Sequence, residues 1–174
     1  MTRRPRRFTV TLALAAALLL AGCGFRLQGA SALPEGLDRV HVATRDELSA
    51  FAVELFRGLE RAGAQRAASP GEADAVVRIT ADKTGRRVLS VSARNTPQEF
   101  EIFYQVEYSI ERAGQEVVSR QRLELTRNIS FAESQLLAKD REEEILRDAM
   151  ARDLAGLVLR RLESLPPAQS DPSR

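Results

Sequence analysis

Two periods alternate along this chain. Leu48, Phe51, Ala52, Leu55, Phe56, Leu59 and Ala62 recur at steps of three, one and three, which places them on one face of a helix. Thr44 and Glu47 have capping-box spacing before it, with Asp46 as a second possible cap, and Gly63 suits the left-handed residue that ends it. Val40-His41-Val42, within Asp38 to Thr44, predicts a short strand upstream, and Ser69-Pro70-Gly71 a turn downstream.

From Ala73 the period becomes two. Ala75, Val77, Ile79 and Ala81 alternate with Val76, Arg78, Thr80 and Asp82. Thr84-Gly85 fits either a hairpin or a bulge inside one long strand running to Ala93. The clearest strand follows, with Phe100, Ile102, Tyr104, Val106, Tyr108 and Ile110 on one face. Glu101, Phe103, Gln105, Glu107 and Ser109 take the other, and only Phe103 breaks its polarity. Ala113-Gly114 turns the chain into a further strand from Glu116 to about Asn128. Asp140 and Glu143 can cap a last helix whose stripe is Ile145, Leu146, Ala149, Met150, Leu154, Leu157, Val158 and Leu162, and Pro166-Pro167 stop it. The expected fold is α/β: a two-layer sandwich with two amphipathic helices packed on one face of a mostly antiparallel four- to five-stranded sheet.

The first 22 residues stand apart. Arg3, Arg4, Arg6 and Arg7 precede an apolar run from Thr9 to Leu20, which at about a dozen residues is too short for a membrane span of roughly 20. Leu20-Ala21-Gly22-Cys23 then resembles a bacterial lipoprotein box, in which the thiol is alkylated by diacylglycerol and the chain is cut before the cysteine. Only a thiol can form that thioether, so Cys23 is the expected lipidation site. The expected organisation is a lipoprotein signal peptide over 1–22, an acylated N-terminus and tether over 23–37, one domain over 38–165 and a disordered tail over 166–174. A Gly rather than an Asp after the cysteine points to the periplasmic face of the outer membrane.

Cutting at Cys23 changes the charge. The chain has 26 Lys and Arg against 24 Asp and Glu. Four of those arginines leave with the leader, so the mature chain carries a net −2 and offers no case for nucleic acid. Catalytic parts are lacking. His41 is the only histidine and sits in a short apolar strand, where it reads as a packed or edge residue. Glu142-Glu143-Glu144 open a helix, where acids favour the positive end of the dipole. No phosphate loop or metal motif is present, so neither catalysis nor a cofactor or metal is expected.

What remains is a tethered binding surface. Val88, Ser90, Ser92 and Arg94 fall at even spacing, opposite Leu89, Val91 and Ala93, which the alternation assigns to the helix-covered face. Arg94 then projects from the open side beside the loop Asn95-Thr96-Pro97-Gln98. Lys139 stands before the last helix and is one of two lysines, Lys83 being the other. A guanidinium and an ammonium so placed can bind phosphates. Read without a ligand, both are solvated or locally paired, Lys139 with Asp140 or Glu143.

Three stretches resemble the LptE family of lipopolysaccharide-assembly lipoproteins: Cys23-Gly24-Phe25-Arg26-Leu27-Gln28-Gly29, Arg94-Asn95 with Glu99-Phe100, and Arg127 to Phe131 followed by Gln135 to Glu142. With the element order, the resemblance covers nearly all of 23–165. It implies an outer-membrane protein that plugs the LptD β-barrel and contacts lipopolysaccharide, with Arg94 and Lys139 at the ligand. Pro97 and the short tail depart from the family pattern. An accessory lipoprotein of a phospholipid-transport system is the alternative.

Overall fold

A computed structural model describes residues 33–130 and 136–167. The leader, Cys23 and most of the tether lie outside the described residues, as does the tail beyond Pro167. The elements follow as β1 (Arg39–Ala43), α1 (Ala50–Arg61), β2 (Gln65–Arg66), a 3-10 turn (Pro70–Glu72), β3 (Ala75–Val91), β4 (Pro97–Arg112), β5 (Gln115–Ser130) and α2 (Leu136–Glu163). The strands form one mixed sheet in the order β2-β1-β3-β4-β5. β1 is parallel to both neighbours, whereas β3, β4 and β5 form a long antiparallel ladder. Both helices pack on one face of it, which makes the α/β two-layer architecture.

Helix α1 starts later than the capping-box spacing suggests. Ser49, not Thr44 or Asp46, is its cap, and the Ser49 hydroxyl accepts the Ala52 N–H at 3.1 Å. Asp46 instead closes a local turn by accepting from the Leu48 N–H. Gly63 ends the helix with φ +88°, a conformation closed to most side chains. Phe51, Leu55 and Leu59 face inward and meet Met150, Leu154, Val158 and Leu162 of α2 over Val40, Val77, Ile102, Val106 and Ile110 of the sheet. The helices cross at Gly58, where an added Cβ would sit 2.2 Å from Leu159 Cδ1. The Phe51 N–H donates to the Tyr104 hydroxyl at 3.2 Å, tying the first turn of α1 to the middle of the sheet. Burial, reinforced by the Asp82 carboxylate, pushes that phenol far above its ordinary value.

Thr84-Gly85 is neither a hairpin nor a bulge. β3 runs unbroken past it, and its register with β4 slips on either side instead, around Thr80, around Leu89 and again between Ser90 and Val91. Gly85 pairs with Phe103, whose ring lies where a Cβ would be, 2.9 Å from it. Phe103, the one apolar residue on its face, thus packs against bare backbone. The Ala113-Gly114 hairpin has φ of 49° and 74°, as a two-residue turn between twisted strands requires. At this end Arg112 donates to the carbonyls of Pro166 (2.6 Å), Gly36 (3.1 Å) and Glu35 (3.4 Å). One guanidinium therefore fastens the chain entering the domain, the β4–β5 hairpin and the chain leaving α2.

Candidate functional site

Element lengths decide what is covered. Sixteen residues of β4 span roughly 50 Å at about 3.3 Å each, whereas the 12 residues of α1 span about 18 Å. β1 and α1 cover only the end of the ladder near Arg112. Among the described residues, the far end, where β3 turns into β4, is reached by a helix only at the first turns of α2. There Glu143, buried, receives Arg86 at 3.3 Å and also pairs with Arg147. α2 begins at Leu136, so Asp140 and Glu143 lie inside it and do not cap it, and Glu143, two turns in, is a strut between helix and sheet.

Arg94 sits at the tip beyond this strut, in a turn built by Ser92. The Ser92 hydroxyl accepts the N–H groups of Arg94 (3.3 Å) and Thr96 (3.2 Å), and the Ser92 N–H donates to the Thr96 carbonyl at 2.8 Å. Asn95 takes the left-handed conformation, φ 61°, that this tight reversal needs, and Pro97 opens β4. The Arg94 side chain is exposed and has no ion pair or side-chain hydrogen bond among the described residues. Lys139 lies at the same end, one turn before Glu143, but its state differs. Its side chain is only 17% exposed, and its ammonium is 2.7 Å from Glu142 Oε2. Neither Asp140 nor Glu143 is that partner.

Of the three register slips, at Thr80 and Leu89 on β3 and at Gln98 on β4, the first overturns the facing of β3. Val77 and Ile79 oppose Ile110 and Tyr108, but beyond Thr80 the residues opposite the core-facing positions of β4 are Asp82, Thr84, Arg86 and Val88. Leu89 and Val91 are not helix-covered: they are 48% and 51% exposed, and Val88 is 51% exposed. An alternation read without bulges carries the wrong face forward, and no turn residue marks the slip at Thr80 or at Leu89.

The sheet face turned away from the helices holds salt bridges. Arg87 bridges Glu101 and Glu124, both at 3.0 Å, with its guanidinium 4.3 Å over the Phe103 ring. Arg122 also reaches Glu124, and Arg78 binds both oxygens of Glu111. Arg78 holds the Glu111 carboxyl below the usual carboxylate range, chiefly by hydrogen bonding, and Arg122 and Arg87 do the same to Glu124. These arginines are engaged by carboxylates, while Lys83, opposite Gln105 on the same face, is exposed with no ion pair among the described residues.

Two clefts also lie away from Arg94 and Lys139. One, of about 370 Å³, lies between the start of α1, α2 and β3. Asp46, Asp82, Glu144 and Asp148 outweigh Arg147 in its lining, a balance that repels anions. The other, about 390 Å³, lies by Arg112, Val117 and Leu165. His41 Nδ1 donates to the Ala67 carbonyl at 3.0 Å, a packing role at the sheet edge. Among the described residues no three His, Cys, Asp or Glu side chains are grouped to hold a metal, and no helix is long and apolar enough to cross a membrane.

The described residues form a small two-layer α/β domain with ion pairs on its outer sheet face and an exposed arginine near apolar residues at one tip. Its family follows from comparison. The family model LptE, Lipopolysaccharide-assembly, matches residues 37–162, and the chain belongs to that family. It is similar to the solution NMR structure of an uncharacterized lipoprotein B from Nitrosomonas europaea, at 31% identity and TM-score 0.69, over 80% of this chain and 90% of that one. It shares its fold with the rare lipoprotein B from Shewanella oneidensis (22% identity, TM-score 0.63, 71% of this chain and 92% of that one). A minor lipoprotein from Acinetobacter baumannii shares it too (19%, TM-score 0.61, 76% and 97%). A comparison with curated proteins found no match. The protein is thus a lipopolysaccharide-assembly family member of lipoprotein type.

Proposed function

We propose that this chain is an outer-membrane lipoprotein, anchored through acylated Cys23 on the periplasmic face, that partners the LptD β-barrel and binds lipopolysaccharide during its assembly at the surface. It works by contact and not by catalysis. The observation that carries the reading is the family match across the whole folded domain, residues 37–162. The guanidinium of Arg94, unpaired among the described residues, supports the ligand half, because it can meet a phosphate without first breaking an ion pair with any of them. Lys139 is the second cation, and its ammonium must exchange Glu142 for the ligand.

Two measurements test this. The protein isolated from native membranes is expected to bring down a β-barrel in one-to-one ratio, and recovery without any barrel removes the partnership. An inner-membrane complex in its place would favour the phospholipid-transport alternative. Arg94→Glu with Lys139→Glu is expected to weaken lipopolysaccharide binding at least tenfold while circular dichroism stays native. Unchanged affinity removes both residues from the ligand.

A further inference from the structure

The two cations account for a phosphate but leave the apolar side chains around the tip without a role. Val88, Leu89 and Val91 are each about half exposed within four residues of one strand. Strand residues of this kind are normally buried under a helix or a second sheet, and an exposed apolar stretch on a strand invites association. Here the cause is structural. α1 does not extend to the tip, so Val88, opposite core-facing Phe100, has no helix over it among the described residues, and Leu89 is the extra residue at the second slip, outside the regular alternation.

The charges around this stretch are arranged unevenly. Arg78, Arg86, Arg87, Arg122 and Arg127 along the ladder each have a carboxylate within 4 Å, from Glu111, Glu143, Glu101, Glu124 and Asp153. Lys83 and Arg120 on the ladder have none among the described residues, and neither does Arg94, which alone of these three lies within three residues of Val91. Three residues of chain span at most about 10 Å, so an uncompensated positive charge lies directly beside an uncovered apolar rim. That pairing complements an amphiphile whose phosphate sits at the root of its hydrocarbon chains.

We propose that Val88, Leu89 and Val91 form an apolar rim that takes acyl chains of the lipopolysaccharide molecule whose phosphate meets Arg94. The inference rests on the ligand half of the proposed function and adds that recognition reads the acyl region as well as the head group. The tip wedges against the root of the chains, with the guanidinium at the phosphate and the rim against the first methylenes.

The full-length protein in detergent is titrated with rough-type lipopolysaccharide, with the same molecule fully deacylated, and with phosphatidylglycerol vesicles. The wild-type chain is expected to prefer the acylated form. Leu89→Ser with Val91→Ser is expected to lose about tenfold on acylated lipopolysaccharide, a loss in keeping with removing part of two apolar contacts, and nothing on the deacylated form. If that double variant does not fold by circular dichroism, the isosteric Val88→Thr with Val91→Thr replaces it with the same expected direction. Unchanged affinity for the acylated form overturns the rim. So does an equal loss on phosphatidylglycerol vesicles, which makes it a general bilayer contact, or a loss of barrel co-purification with lipopolysaccharide binding intact, which makes it a protein contact. A wild-type chain that binds no lipopolysaccharide in either form sinks the ligand half of the proposed function instead.

Discussion

The two ends of the β3–β4 ladder are built by the same strands and follow opposite rules. Near Arg112, β3 contributes Ala75, Val76, Val77 and Ile79, all buried, and β4 contributes Val106, Tyr108 and Ile110 beneath both helices. Near Arg94, β3 contributes Arg86, Arg87, Val88, Leu89 and Val91, all exposed, and among the described residues only the first turns of α2 lie above. Burial stabilises the first end. The second is held by main-chain pairing, ion pairs and one buried glutamate, and is left with surface to spare. A short helix over a long hairpin thus divides one sheet into a core and a probe.

The largest expected effect comes from removing the core's contribution. Phe51 is fully buried, so Phe51→Ala should cost about 3–5 kcal/mol, whereas Val91→Ala at the tip should stay within about 0.5 kcal/mol. Urea unfolding of both variants measures the contrast, and equal losses would abolish the distinction between the two ends. Next comes the helix crossing. Gly58→Val forces a side chain into Leu159 and should cost about 1–3 kcal/mol by overpacking, with lost helix-helix contact visible as a lower thermal midpoint. The smallest effect concerns the ion-paired face. Glu111 has its carboxyl lowered by Arg78, so the pair stabilises the fold above the unfolded-state pKa of Glu. That stability is lost as pH falls through the lower folded value. Arg78→Gln should therefore flatten the loss of stability between about pH 4.5 and that lower value, read by acid titration of circular dichroism. An unchanged acid profile would show that the pair is fully screened by solvent.

Much of the proximal end was legible. The inward stripe of α1, the alternation over Phe100 to Ile110, the Ala113-Gly114 turn and the Pro166-Pro167 stop all rest on local periodicity or backbone chemistry. Ser49 was harder to read because Thr44, Asp46 and Ser49 all carry capping oxygens, and only the path of the chain out of β1 selects among them. The states of the two candidate cations were not legible. Arg94 and Lys139 stand out by sequence, yet one is exposed at a tip and the other is mostly covered and paired with Glu142. Glu143 looked like a dipole-favouring acid and is the strut that seats α2 on Arg86.

The order of elements, the α/β class, the inward stripes and the family resemblance were determined by the sequence alone, because each is written in spacings of a few residues. Only the tertiary structure decided which way the second half of β3 faces. A bulge takes one residue and leaves no local mark, because its position depends on register with β4, and every side chain beyond it changes sides. The slips at Thr80 and Leu89, together with helices too short to cover the tip, left Val88, Leu89 and Val91 exposed near Arg94.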